Sequence, residues 1–240
     1  MTIIEAIDKR CSRRKYLNTP LNSDIIEKLN NFALEYSQKG KIRLEMIYNN
    51  GKAFNGLLKS YGMLSNVKNY AVLIANKDDI AAAERLGYYG ELLMLNAVAM
   101  GLGTCWVGGS FDRKLCPVKL TGDEQILCTI TIGFVPEQLS AKEKFIYNMI
   151  HRKTKTIEEM FVSDVPVPDW FMNAMRAVQK APSAINRQPV LFSFKAGKVS
   201  ASIKNQNDAG MTLDMGIAKL HFELGAGKGK WNFQSNEYII

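Results

Sequence analysis

The spacing of apolar residues changes along this chain, and each change marks an element. Ile3, Ile4 and Ile7 fall on one helical face and predict a short helix over 2–10. Asn22 or Ser23 is placed to cap a second helix over 24–37, where Ile25, Ile26, Leu29, Phe32 and Ala33 keep helical spacing. Residues 42–48 suit a strand, and 51–68, rich in Gly, Lys and Ser, read as irregular. The runs 70–75 (YAVLIA) and 126–134 (ILCTITIGF) are continuously apolar, as strands buried on both faces are. Between them an apolar helix over 79–100 closes at Gly101-Leu102-Gly103, glycine supplying the left-handed conformation that ends a helix. A helix over 140–150 leads through a basic stretch to Val165–Pro168, whose alternating valines and prolines mark a link. Beyond it lie a helix over 169–180, a strand pair at 190–203, a polar turn Lys204–Gly210 and a helix over 212–226.

Composition narrows the class. With 47% hydrophobic and 22% charged residues, the 240-residue chain can bury a sizeable core, which excludes a disordered protein. The most apolar stretch, Leu92–Val107, contains Asn96 and is too short to span a bilayer, so no membrane partner is expected. The opening residues lack the charged-then-apolar order of a signal peptide, and the expected location is the cytoplasm. Cys11, Cys105, Cys116 and Cys128 form no CxxC pair, and only His151 and His221 could join them; no metal site is expected, and the thiols read as reduced and packed. The net charge of +8 collects locally at Lys9–Lys15 and Arg152–Lys155. Neither cluster carries the interleaved aromatics of a single-strand binder, so the expected partner is a small phosphate-bearing molecule and no nucleic acid. Taken alone, each cluster also fits a solvated charged face.

The chain echoes itself. LGYYGELLMLNAVAMGLGTCW is matched by LDMGIAKLHFELGAGKGKW, with Gly90, Gly101 and Gly103 opposite Gly216, Gly227 and Gly229 at one offset. The helix led by Pro20 likewise resembles the one led by Pro168. Two related halves are expected, residues 1–162 and a truncated 163–240, forming one intramolecular pseudo-dimer.

Four segments carry candidate chemistry. In Arg10–Tyr16, an extended backbone would put Arg10, Ser12 and Arg14 on one face, two guanidiniums and a hydroxyl able to clamp a phosphate or an electron-rich ring edge. In Gly103–Gly109, the pair Gly108-Gly109 would let backbone approach a planar ligand. In Ala181–Pro189, two prolines stiffen a loop that offers Ser183 and Asn186; without a ligand it is simply a polar helix-to-strand connection. In His151–Lys155, Lys153 and Lys155 could complete a phosphate site or form a charged linker.

Together these segments resemble a family. RCSRRKYLNTPL is similar to the R-x-S-x-R-K-Y opening of nitroreductase-type flavoproteins, APSAINRQPV to their A-P-S-x-x-N-x-Q-P signature, GLGTCWVGG to their G-L-G-x-x-W segment, and IGF with RKTKTIEEMF to their closing strand and basic tail. The order is unusual: in most members the A-P-S-x-x-N motif follows the first long helix, where this chain has Tyr36-Ser37-Gln38-Lys39-Gly40. The resemblance implies an α+β, nitroreductase-like fold with antiparallel or mixed sheets flanked by helices in two pseudo-symmetric halves. It also implies an FMN cofactor, with Arg10, Ser12, Arg14, Lys153 and Lys155 at the phosphate and nearby atoms. Trp106, Val107, Gly108 and Gly109 would line the ring, and Pro182, Ser183 and Asn186 would close the other side; Arg152 could stand in for either lysine. The activity implied is NAD(P)H-dependent reduction of nitroaromatics, quinones or similar small acceptors by ping-pong hydride transfer, NADH or NADPH being the transient reductant. No side chain is expected to act catalytically. The alternative is a flavin store or sensor without efficient turnover. One FMN per monomer is expected, with further pairing of chains left open.

Overall fold

The computed structural model describes residues 1–55, 64–151, 154–203 and 209–240. The part of the 51–68 stretch from 56 to 63, Arg152 and Lys153, and the turn residues 204–208 lie outside the described residues. The chain divides into two compact units: Met1–Ala82 with Leu92–Met149, and Ala83–Glu91 with Ile150–Ile240.

The first unit is built on a four-stranded antiparallel sheet of order β1-β2-β4-β3, with β1 Arg43–Ile47, β2 Asn69–Asn76, β3 Gly103–Val107 and β4 Glu124–Gly133. The central pair are the two continuous apolar runs, and their register places Tyr70 opposite Thr131 and Val72 opposite Thr129. Tyr16, Phe54, Tyr70, Val72, Ile74, Cys105, Val107 and Phe111 pack into one apolar cluster. The helices are α1 Ile3–Lys9, α2 Ser23–Gly40, the C-terminal part of α3 Ala82–Ala99, and α4 Ala141–His151. Thr2 and Glu5 cap α1 reciprocally, and it is the Asn22 side chain that caps α2 by accepting the Ile25 N–H at 2.9 Å.

The second unit holds α5 Asp169–Gln179, α6 Ala209–Ala226 and the N-terminal part of α3. Its sheet is mixed, of order β5-β6-β7-β9-β8: Phe161–Ser163 runs parallel to Val190–Lys195, then Lys198–Ile203, Glu237–Ile239 and Lys230–Asn232 follow antiparallel. The pattern had indicated only β6 and β7. The other three strands have three residues each, too few for a period to register. Phe171, Phe192, Phe222, Trp231 and Tyr238 form the aromatic centre, with the Phe192 and Phe222 rings stacked 5.0 Å apart.

Gly101 after α3 and Gly227 after α6 both take positive φ, +85° and +67°, and a strand follows each. Within the second unit the glycines do something the sequence did not indicate. A Cβ on Gly216 would lie 1.8 Å from the Glu84 carbonyl oxygen, and one on Gly87 would lie 2.0 Å from that of Leu213. The two helices therefore touch backbone to backbone.

Candidate functional site

The Arg10–Tyr16 segment lies along the free edge of β3. Ser12 bridges to Thr104, and the Arg13 N–H donates to the Thr104 carbonyl at 2.8 Å. Two side chains anchor it from beneath. The Tyr16 phenol donates to the Arg13 carbonyl at 2.9 Å and lies 2.6 Å from the Thr131 hydroxyl. Glu143, from the first turn of α4, accepts from the Arg14 N–H at 2.7 Å, the Lys15 N–H at 3.2 Å and the Arg13 guanidinium at 3.3 Å; its other oxygen takes the Ser140 N–H and hydroxyl, both at 2.8 Å. Burial alone would raise this carboxyl. The donated N–H groups of Arg14 and Ser140, the Ser140 hydroxyl and the Lys15 N–H outweigh it and hold the pKa down at about 2.

That anchoring buries Arg13, whose guanidinium also donates to the Pro136 carbonyl at 2.8 Å, and the Arg10–Arg14 strip runs past the strand that carries the buried thiol of Cys105. Burial pushes this thiol up, against the pull of the Arg14 charge, the Ser12 hydroxyl and the Arg10 charge, and the sulfur donates to the Trp106 carbonyl at 3.4 Å. Cys105 is therefore a packed, protonated thiol. Arg14 also donates to the Ser12 carbonyl at 3.2 Å. Beside them the Thr104 hydroxyl oxygen is buried and meets no hydrogen-bond partner among the described residues. Such a group costs stability until something completes it.

β3 then delivers Trp106 and Val107, the first half-buried and the second in the core, to an exposed turn at Gly108-Gly109. A Cβ on either glycine would meet nothing, so this backbone is open to a flat ligand. Arg113 fixes the turn by donating to the Gly108 carbonyl at 2.9 Å and to those of Ile126 and Leu127. Gly103 has a different reason to be glycine: a Cβ there would lie 2.2 Å from the Val135 side chain.

In the second unit Pro182, Ser183 and Asn186 sit on a strained loop. Ile185, Asn186 and Gln188 take φ of 48°, 56° and 45°, left-handed values that a β-branched residue such as Ile185 rarely adopts. The loop is held at each end. The Asp214 carboxylate accepts from the Ala184 N–H at 3.1 and 3.2 Å. The Ser183 hydroxyl accepts from the Gln188 N–H at 2.9 Å, and the Asn186 amide donates to the Thr154 hydroxyl at 3.1 Å. Lys155 is half-buried, and its ammonium donates to the Gln188 carbonyl at 2.8 Å. Lys153 lies outside the described residues.

The sequence pattern had missed Glu143, Arg113 and Asp214. Glu143 acts on residues 128–130 positions away, and no local spacing announces such a contact. Gln188 did carry a signal, as the Q of the A-P-S-x-x-N-x-Q-P signature. No group of His, Cys, Asp and Glu able to hold a metal occurs among the described residues, and no helix among them is long and apolar enough to cross a membrane.

Two sheets flanked by helices, one antiparallel and one mixed, make an α+β protein with a nitroreductase-like fold. Residues 2–226 match the family described as "Putative TM nitroreductase", and the chain belongs to this nitroreductase family. It is similar in fold to a "putative nitroreductase" of Thermotoga maritima, with 22% identity over 94% of this chain and 83% of that one and a TM-score of 0.61. A nitroreductase family protein of Clostridium difficile matches with 18% identity over 70% of this chain and 100% of its own, at a TM-score of 0.50. No curated protein matches the chain. Family membership makes the chain an oxidoreductase in general terms.

Proposed function

We propose that this chain is an FMN-dependent NAD(P)H oxidoreductase that reduces nitroaromatics, quinones or similar electron-poor acceptors with ping-pong kinetics. The single observation that carries this reading is the pairing of the Arg10–Arg14 strip with β3, where Ser12 bridges to Thr104 and the buried Thr104 hydroxyl meets no hydrogen-bond partner among the described residues. Two guanidiniums and two hydroxyls are the donor set that a phosphate and a polyol chain require. The open backbone at Gly108-Gly109 suits a planar ring.

When bound, FMN supplies the hydride and electron chemistry. The chain's own residues bind and orient. Arg10 and Arg14 would neutralise phosphate or ring-edge charge, and Ser12 and Thr104 would bond the polyol. Backbone from Trp106 to Gly109 would face the ring. Pro182, Ser183 and Asn186 would supply further contacts, with Lys155 and Lys153 adding positive charge. No side chain is required as nucleophile or acid, and Cys105 stays protonated and packed.

The test begins with the visible spectrum of the purified protein reconstituted with FMN. One FMN per chain is expected, with anaerobic bleaching by NADH or NADPH and parallel initial-rate lines when an acceptor such as a benzoquinone is varied. A flavin that binds and stays yellow with both nicotinamides would identify a store or sensor instead. Replacing Arg14 with Ala should weaken FMN binding about tenfold or more, the scale of one charge-assisted contact.

A further inference from the structure

Four hydrogen bonds sew the short stretch Thr154-Lys155 to the region around the 183–188 loop, and three of them converge on one residue or its neighbour in the helix before it. Gln188 is 4% exposed. Its side-chain oxygen accepts from the Lys155 N–H at 2.8 Å, and its backbone oxygen accepts from the Lys155 ammonium at 2.8 Å. Its side-chain nitrogen donates to the Gln179 carbonyl at 3.3 Å, while the Gln179 amide donates to the Lys155 carbonyl at 3.0 Å. The fourth is the bond from Asn186 to Thr154. Every polar atom of the Gln188 side chain and backbone thus has a partner, and those partners lie on both segments that the proposed function assigns to the cofactor.

We propose that Gln188 is a positioning residue that makes the Thr154-Lys155 stretch and the Ser183–Asn186 loop one preassembled binding element. It touches no ligand itself. An amide suits the position because it donates and accepts at once: the Gln179 carbonyl needs a donor and the Lys155 N–H needs an acceptor. The same bonds brace a backbone in which Ile185, Asn186 and Gln188 are left-handed and Arg187, between them, is right-handed. The cofactor part of this inference rests on the FMN reading; the assembly part does not.

The experiment compares wild type with Gln188→Met, which keeps the volume and loses both side-chain bonds, and Gln188→Glu. Hydrogen exchange of the cofactor-free proteins is read at the Lys155 and Ala184 amides, and FMN affinity by flavin fluorescence. In Gln188→Met both amides should exchange at least tenfold faster, with amides of β2 unchanged, and FMN should bind about tenfold more weakly. In Gln188→Glu a protonated carboxyl restores both bonds, donating to Gln179 and accepting from Lys155. At pH 8, where the carboxyl is ionised and has no proton for the Gln179 carbonyl, its affinity should fall below wild type. Unchanged exchange in Gln188→Met would overturn the assembly. Faster exchange with unchanged FMN affinity, or a Gln188→Glu protein that binds FMN as tightly as wild type at pH 8, would overturn the positioning role. Wild type that takes up no FMN would end the cofactor reading and this role with it, and exchange in the cofactor-free proteins would still decide whether the two segments are one element.

Discussion

Glu143 in the first unit and Gln188 in the second perform similar mechanical work with different chemistry. Each is almost fully buried, each gathers bonds from a segment assigned to the cofactor, and each reaches that segment from another part of the chain. Glu143 does it as an anion collecting donors only, one of them the guanidinium of Arg13. Gln188 does it as a neutral amide that donates as well as accepts. The difference follows from what each segment leaves unsatisfied. The backbone at Arg14 and Lys15 turns two consecutive N–H groups onto one oxygen, and a carboxylate answers several donors at once. A tight loop presents carbonyls and N–H groups together, and only an amide answers both. The first brace is therefore stronger and tied to pH, the second weaker and indifferent to it.

The largest effect should come from removing the charge. Glu143→Ala leaves the Arg13 guanidinium buried without its counterion and several N–H groups without acceptors. A loss of about 3–5 kcal/mol is expected in denaturant unfolding of the first unit. Gln188→Met, which strands neutral groups only, should cost about 1–3 kcal/mol. Equal losses would dissolve the distinction between the two braces.

Acid should separate the units next. The Glu143 pKa is depressed in the folded state, so its contribution is complete above the unfolded value of 4.5 and disappears as pH falls toward about 2. At most about 3 kcal/mol is at stake over that window. Glu223 in the second unit has the opposite sign. Burial raises its pKa above 4.5, against the Tyr88 hydroxyl, the Trp231 N–H and Lys230. Its contribution is fully present below 4.5 and is lost as pH rises through the raised value. Thermal unfolding across pH 2–8 checks both: Glu143→Gln should flatten the acid side of the wild-type curve, and Glu223→Gln should flatten the side above pH 4.5. A Glu143→Gln protein that still loses as much stability as wild type between pH 4.5 and 2 would exclude the first assignment.

These contrasts also mark how far the sequence could be read. Long elements were legible because burial leaves a pattern, a helical period on α2 and an unbroken apolar run on β2, and the segments bearing Arg10–Arg14 and Ser183–Asn186 were legible as motifs. What brings each segment to shape was not legible. Glu143 and Asp214 are isolated acids in the sequence, and their roles exist only after the chain has folded back across 128 and 30 positions. The three-residue strands at Phe161, Lys230 and Glu237 owe their pairing to neighbouring strands rather than to their own composition.

Two glycines extend the comparison at smaller magnitude. Gly216→Ala drives a methyl onto the Glu84 carbonyl and the Tyr88 N–H, 1.8 and 2.6 Å away, and both are helix backbone. Gly103→Ala meets side-chain atoms only, both γ-methyls of Val135 at 2.2 and 2.8 Å and the Cβ of Arg13 at 3.1 Å. About 1–3 kcal/mol or more is expected for Gly216→Ala, with a clearly smaller loss for Gly103→Ala, where a side chain can rotate away. Thermal melts of the two variants read the difference directly, and a Gly103→Ala loss that matched or exceeded it would mean that Val135 is as rigid as helix backbone.

The smallest expected effect tests the second brace from the side of strain. Ile185 holds φ 48° and ψ 30° while 75% of its surface faces solvent. The left-handed conformation costs an L-residue about 1–2 kcal/mol, and little apolar burial is returned here. Glycine removes that cost but adds about 0.5–1 kcal/mol of unfolded-chain entropy. Ile185→Gly should therefore shift stability by at most about 1 kcal/mol, toward greater stability. Its use lies in combination with Gln188→Met. If Gln188 holds the loop against this strain, a loop with no strain to resist needs the brace less. The double variant should then lose less than the sum of the two single changes, by about 0.5 kcal/mol or more in a double-mutant cycle. Strict additivity would mean that the loop keeps its left-handed turns without help, with Asp214 and Ser183 alone fixing its shape.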